Sequence, residues 1–101
     1  MKLGKTIKEI RKSKGLNQAQ LAEKSGISQT ALSQIESDKR FPNQITLQNL
    51  CNALGTKPSA IYILSATIDD VPEENKETFN TVFPQIKSLL EKIFIYTKSS
   101  V

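Results

Sequence analysis

The sequence predicts an all-α protein, and two observations carry this prediction. Apolar residues recur at intervals of three and four through most of the 101 residues, which is the spacing that places side chains on one face of an α-helix. Glycines at positions 15, 26 and 55 follow three of these segments, and glycine is the residue that most often ends a helix in left-handed geometry. We therefore expect several short helices joined by tight turns.

The first helix begins near the amino terminus. Leu3, Ile7 and Ile10 form an apolar stripe, and the lysines of this segment lie away from it, as in an amphipathic helix. Gly15 is expected to end the helix as a left-handed stop, and Leu16 to pack behind it as a hydrophobic contact.

The next residues predict two helices joined by a tight turn. Asn17 is a candidate N-cap, and Gln20, three residues later, completes a capping box. Gly26 ends this helix and Ser28 caps the following one. The two helices cover about residues 18–25 and 29–36. Together they form a helix-turn-helix arrangement.

Two further helices follow a loop at residues 37–43. The fourth helix is expected at about 46–54 and ends at Gly55; its buried residues are Leu47, Leu50, Cys51 and Leu54. Pro58 suits the first turn of the fifth helix, which turns Ile61 and Leu64 inward.

The residues after Asp69–Pro72 predict a helical extension from Glu73 to Lys98. Its apolar residues are Phe79, Val82, Ile86, Leu89, Ile93 and Tyr96, with Phe83 and Leu90 beside them. Their alternating intervals of three and four are typical of a coiled-coil seam. Pro84 removes one backbone donor and clashes with the carbonyl of Asn80, so we expect a kink or a break into two helices near residues 82–84.

Composition limits the function classes. The net charge is +4, and residues 1–64 hold ten Lys and Arg against four Asp and Glu, so the basic excess lies with the helix-turn-helix; this fits a phosphate-binding surface. There is no histidine, and Cys51 is the only cysteine. We therefore expect no disulfide, no metal site, no cofactor and no enzymatic activity. No apolar run of about 18 residues exists, so we expect a cytoplasmic protein without a membrane segment.

The second helix of the helix-turn-helix presents an uncharged polar face. Its outward residues are Gln29, Thr30, Ser33 and Gln34. Amides and hydroxyls of this kind can donate and accept hydrogen bonds at base edges, although such a face can also be merely solvated. In this setting we interpret it as a base-reading face.

The same segment carries a family resemblance. The pattern is Gln18-x-x-Leu21-Ala22-x3-Gly26-Ile27-Ser28-x3-Leu32-Ser33-x-Ile35-Glu36, followed by Pro42. It resembles the Cro/CI-type (XRE-like) helix-turn-helix regulators over about residues 3–64. The resemblance implies a lambda-repressor-like five-helix DNA-binding bundle, here with a C-terminal helical extension, that docks its third helix in the major groove of double-stranded DNA.

The resemblance also implies roles for particular residues. It points to the same four base-reading positions and to Gln18 as a phosphate contact that also braces Gln29. The residues themselves suggest further phosphate contacts: Asn17 lies at the amino terminus of the second helix, where free amides favour an anion, and Lys39 and Arg40 lie in the loop after the third helix. The resemblance further implies an ion pair between Arg11 and Glu36. Asp38 departs from the family, which usually has glycine at this position; aspartate tolerates left-handed backbone better than most residues.

We expect residues 1–66 to form the DNA-binding domain and residues 67–101 a dimerisation segment. The expected dimer residues are Phe79, Val82, Phe83, Ile86, Leu89, Leu90 and Ile93. This seam can instead fold back on the bundle or capture another small protein, as an antitoxin captures its toxin. We favour a homodimeric regulator, a repressor by family expectation, that binds an inverted-repeat operator; the alternative is the DNA-binding antitoxin of a toxin–antitoxin pair.

Overall fold

A computed structural model describes residues 1–96 and contains six α-helices. They are α1 (Leu3–Ser13), α2 (Gln18–Ser25), α3 (Gln29–Glu36), α4 (Gln44–Leu54), α5 (Pro58–Leu64) and α6 (Lys76–Phe94). Two 3₁₀ turns, Ile68–Asp70 and Glu73–Asn75, join α5 to α6. Residues 1–96 contain no strand, so the predicted all-α class is confirmed for this part of the chain.

The helix ends follow the predicted capping residues. Gly15, Gly26 and Gly55 have φ of +73°, +71° and +73°, so all three left-handed stops are confirmed. Asn17 Oδ1 accepts from the amide of Gln20 at 2.8 Å, and Gln20 Oε1 accepts from the amide of Asn17 at 2.8 Å, which completes the predicted capping box. Because these signals are local, α2 and α3 have the predicted bounds.

Helix α4 begins two residues earlier than expected. The side chain of Asn43 accepts from the amide of Thr46 at 2.8 Å and so caps a helix that starts at Gln44. The apolar pattern did not indicate this start, because Ile45 in the first turn does not lie on the buried face of the helix; it is 74% exposed. Its position therefore breaks the rule that apolar side chains mark the buried face.

One apolar core joins all six helices. Helix α1 packs against α3 and α5, α2 against α3 and α4, and α5 against α6. The fully buried side chains come from every one of the first five helices; the largest are Leu3, Ile7, Leu21, Leu32, Ile35, Leu50, Ile61 and Leu64. Cys51 is completely buried among them, as the sequence predicted. None of the helices within residues 1–96 combines the length and apolar character needed to cross a membrane.

The extension forms one helix, so of the kink or break expected near residues 82–84 the break is wrong, and the kink stays a prediction. Pro84 lies inside a continuous α6. Both Pro84 and Asn80 are exposed, which lets water satisfy the carbonyl that loses its intrahelical donor. Helix α6 ends at Phe94, before the expected end at Lys98, which lies outside the described residues.

The carboxyl end of α6 docks on the bundle. Ile95 is 3% exposed and belongs to the core. The carbonyl of Ile95 accepts from Lys14 Nζ at 2.7 Å, and the carbonyl of Phe94 accepts from Thr56 Oγ1 at 3.4 Å. Lysine at the end of a helix also complements its dipole.

A second face of α6 remains exposed. We call it the α6 row; it consists of Val82, Ile86, Leu89 and Ile93. Leu90 does not belong to this row, because it packs against the core of its own chain. Phe79 and Phe83 are half-buried and stack with ring centroids 4.5 Å apart.

Candidate nucleic-acid interface

Helix α3 directs the four predicted base-reading side chains to solvent. Leu32 and Ile35 occupy the opposite side of α3 and are fully buried, which fixes the rotation of the helix about its axis. The four outward side chains are Gln29, Thr30, Ser33 and Gln34, and all are exposed. With Gln18 they line a shallow concavity of about 340 Å³ that contains no charged side chain.

Both ends of α3 are held by hydrogen bonds. At its start Ser28 Oγ accepts from the amide of Ala31 at 3.0 Å. At its end the carbonyl of Gln34 accepts from the amides of Lys39 and Arg40, at 3.0 and 3.2 Å. The turn that follows α3 is therefore tied to Gln34, the last of the predicted base-reading residues.

Arg11 and Glu36 form the expected ion pair between α1 and α3. Arg11 Nε donates to Glu36 Oε2 at 2.7 Å, and Arg11 Nη2 donates to Glu36 Oε1 at 3.0 Å. The two residues are 6% and 5% exposed. A third donor, Arg11 Nη1, binds the carbonyl of Leu16 at 2.8 Å, so the pair also holds the turn between α1 and α2.

Gln18 makes a different contact from the one expected. Its Nε2 donates to Glu36 Oε1 at 3.1 Å, whereas no hydrogen bond joins Gln18 to Gln29 within residues 1–96. The expected brace of Gln29 by Gln18 is therefore not formed in this structure and stays a prediction for the binding site. Because Gln18 donates a hydrogen bond to the carboxylate of Glu36, its side chain is held against the Arg11–Glu36 ion pair, at the edge of the concavity.

The remaining predicted phosphate contacts surround α3. Asn17 Oδ1 serves the helix cap, while the first amides of α2 have no intrahelical acceptor, as in any helix. Lys39 and Arg40 are exposed in the turn after α3. The turn after α3 thus carries two exposed cations, while the outward face of α3 carries no charge of its own.

Two residues of this region were not singled out as partners by the sequence. Asp38 has a φ of +60°, and its Oδ1 accepts from the amide of Gly4 at 2.8 Å. Its Oδ2 accepts from the amide of Lys5 at 3.3 Å. A Cβ at Gly4 would lie 1.8 Å from the carbonyl oxygen of Ile35, so only glycine fits there. The sequence offered one signal for the contact between Asp38 and α1: the residue before α1, Lys2, has no side chain that caps a helix, and it makes no cap bond.

Comparison with known proteins identifies the same region. The family model described as Helix-turn-helix matches residues 7–61. The "Immunity repressor protein" of Bacillus phage phi105 is 46% identical over 61 residues, which are 60% of this chain and 42% of that protein. This chain thus spans less than half the length of that relative.

Two more similarities cover most of the chain. The "HTH-type transcriptional regulator ImmR" of Bacillus subtilis (strain 168) is 35% identical over 92 residues, which cover 86% of this chain and 69% of that protein. The crystal structure of the clp gene regulator ClgR from Corynebacterium glutamicum superposes with a TM-score of 0.62 and 23% identity, over 89% of this chain and 87% of the other. The latter similarity concerns the fold alone.

Proposed function

The chain belongs to the Cro/CI-type (XRE-like) helix-turn-helix family, and on this premise we propose that it is a sequence-specific, double-stranded DNA-binding transcriptional regulator. One observation carries the proposal: α3 presents an exposed, uncharged concavity of amides and hydroxyls, and the turn that follows α3 carries the exposed cations Lys39 and Arg40. Such a surface offers hydrogen bonds to base edges at its centre and cations to phosphates at its margin.

Helix α3 reads the major groove in this proposal. The amide of Gln29, in the first turn, pairs with N6 and N7 of an adenine in this proposal. Thr30 offers a methyl group to thymine or a hydroxyl to either base, and Ser33 and Gln34 lie one turn further on. Each well-formed base contact contributes discrimination of about 1–3 kcal/mol.

Phosphate contacts set the orientation of the domain. The amino terminus of α2, with Asn17 and Gln18, lies against one strand, because free amides and the helix dipole favour an anion there. Lys39 and Arg40 contact the flanking phosphates. These contacts contribute affinity and salt dependence but little sequence preference.

The proposed active species is a homodimer formed through the α6 row, with Phe79 and Phe83 at its margin. Four apolar side chains at intervals of four, three and four lie exposed on this row, and Ile93 is 71% exposed. A second copy would cover them by the same repeat. Two recognition helices then read half-sites about 34 Å apart, with residues 1–66 as the DNA-binding domain and 67–101 as the dimerisation segment.

Repression is the proposed regulatory outcome. A dimer bound across a promoter excludes RNA polymerase by occupying its site. The name of the phage relative, an immunity repressor, supports this direction for the part of the chain that is similar.

Selection of bound duplexes from a random DNA pool tests the function. We expect an inverted repeat with half-sites about one helical turn apart. The Gln29→Ala variant should lose preference at one position of each half-site, with unchanged binding to random-sequence duplex. Recovery of no enriched sequence, together with no retention of any duplex at low salt, would contradict the proposal.

The dimer is tested by measuring molecular mass in solution. We expect the wild type to be a dimer and Leu89→Asp, in the α6 row, to be a monomer. Ser88→Asp is the matched control, since it adds the same charge at an exposed position of α6 outside the row. A monomeric wild type, or equal masses for the two variants, would exclude the α6 row as the interface.

A further inference from the structure

The turn after α3 contains a backbone conformation that its residue type does not favour. Asp38 has a φ of +60° and is the only non-glycine residue with positive φ among residues 1–96. A left-handed conformation is unfavourable for residues with a Cβ, although aspartate tolerates it better than most because its side chain can hydrogen-bond locally. The conformation reverses the chain so that the amides of Lys39 and Arg40 converge on the carbonyl of Gln34.

The side chain of Asp38 is committed to a distant helix. Its carboxylate accepts hydrogen bonds from the amides of Gly4 and Lys5, which lie in the first turn of α1 and have no intrahelical acceptor. Helix α1 has no acidic residue in its first turn and no capping side chain at Lys2. Asp38 therefore supplies, from 34 positions away, the cap that the local sequence lacks.

The close approach of α1 and α3 makes this cap possible. A Cβ at Gly4 would lie 1.8 Å from the carbonyl oxygen of Ile35 and 2.9 Å from Asp38 Oδ1. Glycine at position 4 thus lets the amino terminus of α1 reach the end of α3. Three independent observations, the φ of Asp38, its two hydrogen bonds and the contact at Gly4, describe one joint.

We propose that Asp38 is a positioning residue for DNA binding: by capping α1 it fixes the turn that holds Lys39 and Arg40 beside the base-reading face of α3. This inference rests on the proposed function, because it concerns the phosphate contacts of the same site. Asp38 itself touches no DNA.

The cap also resolves an electrostatic conflict. A carboxylate next to two phosphate-binding cations would repel the DNA backbone and compete for those cations. The amino terminus of α1 carries partial positive charge and two amides aimed at Asp38, which stabilise its negative charge where it lies. Lys39 and Arg40 make no salt bridge to it within the described residues, so both cations stay available for phosphates.

Three variants with equal net charge test the inference. Asp38→Asn keeps an acceptor and tolerance of left-handed backbone, Asp38→Gly keeps only the backbone freedom, and Asp38→Ala keeps neither. Each is titrated onto a random-sequence duplex at several salt concentrations. We expect Asp38→Asn to show the steepest salt dependence, and Asp38→Ala a slope lower by about one released ion, since one phosphate contact contributes about 0.9 to the slope. Asp38→Gly should lie between them.

A second background separates positioning from a general loss of structure. In a chain that carries Lys39→Gln and Arg40→Gln, the Asp38→Ala and Asp38→Asn variants should bind the duplex with equal slopes, because the cations through which Asp38 acts are gone. Amide exchange of Gly4 and Lys5 provides a readout without DNA: protection should persist in Asp38→Asn and fall at least tenfold in Asp38→Gly.

The outcomes are distinct. Equal slopes for all three variants in the wild-type background would overturn the role of Asp38 and leave the proposed function intact. An equal drop in both backgrounds would show that Asp38 acts on stability alone. Failure of the wild type to bind any duplex at low salt would instead contradict the proposed function itself.

Discussion

At the level of single residues, the guanidinium of Arg11 connects three segments of the chain. It binds the carboxylate of Glu36 with two nitrogens and the carbonyl of Leu16 with the third, and Gln18 donates to the same carboxylate. Helix α3 and the start of α2 are thereby held in one geometry. Because both charges are buried, this arrangement is stable only while every partner is present.

Replacing Arg11 tests that dependence. Arg11→Met leaves Glu36 buried without a cation, and we expect the free energy of unfolding to fall by about 3–5 kcal/mol, measured by chemical denaturation. The double variant Arg11→Met, Glu36→Leu replaces both charges with apolar groups and should recover most of the loss. A double variant that is less stable than the single one would refute this explanation.

Among the helices, those with local capping signals could be predicted and those set by distant contacts could not. Asn17, Gly26 and Ser28 specify the bounds of α2 and α3 through contacts within three or four residues. The placement of α6 depends on Ile95, which follows the helix and falls outside its apolar repeat. A repeat of threes and fours fits a partner chain as well as the chain's own core, so the sequence left that choice open.

The continuous α6 leads to a prediction for Pro84. Proline inside a helix is about 3 kcal/mol less favourable than alanine. We expect Pro84→Ala to raise the free energy of unfolding by about 1–3 kcal/mol, since it restores the donor to the carbonyl of Asn80. The exposed neighbour Gln85 provides the control variant Gln85→Ala, which should change stability by less than about 0.5 kcal/mol. Lower stability of Pro84→Ala would show that the proline has a structural role of its own.

The docked end of α6 leads to a second prediction for this helix. Ile95→Ala creates a cavity in the core and should lower the free energy of unfolding by about 2–5 kcal/mol. Ile45→Ala, the same change at a 74% exposed position, should have little effect. Denaturation at one fixed protein concentration measures both, because the proposed dimer would make stability depend on concentration. Equal effects of the two variants would mean that Ile95 does not dock on the core in solution.

At the scale of the whole molecule, the buried thiol of Cys51 reports on global unfolding. Burial raises the pKa of Cys51 to about 11 from an ordinary value of 9.0. The unfolded chain therefore loses this proton first. The contribution of the buried Cys51 thiol to the free energy of unfolding is complete below pH 9 and is lost as the pH rises from 9 toward 11.

Chemical denaturation at several pH values between about 8 and 11 measures that loss of stability. A thiol with this shift in pKa titrates over roughly this range. We expect the wild type to lose more stability over this range than Cys51→Ala, which lacks the thiol. Under native conditions near neutral pH, a thiol reagent should label Cys51 only as fast as the core opens. Labelling at the rate of an unfolded peptide would contradict the burial of this residue.

The separation of charge from the polar face of α3 has a consequence for engineering. Under the proposed function, the four outward side chains of α3 determine which operator is bound. The cations Lys39 and Arg40 determine how strongly salt weakens that binding. Exchanging those four side chains for another uncharged set should retarget the protein without altering how strongly salt weakens it. Sequence preference and salt-dependent affinity are then independent properties of one small domain, and each can be changed without the other.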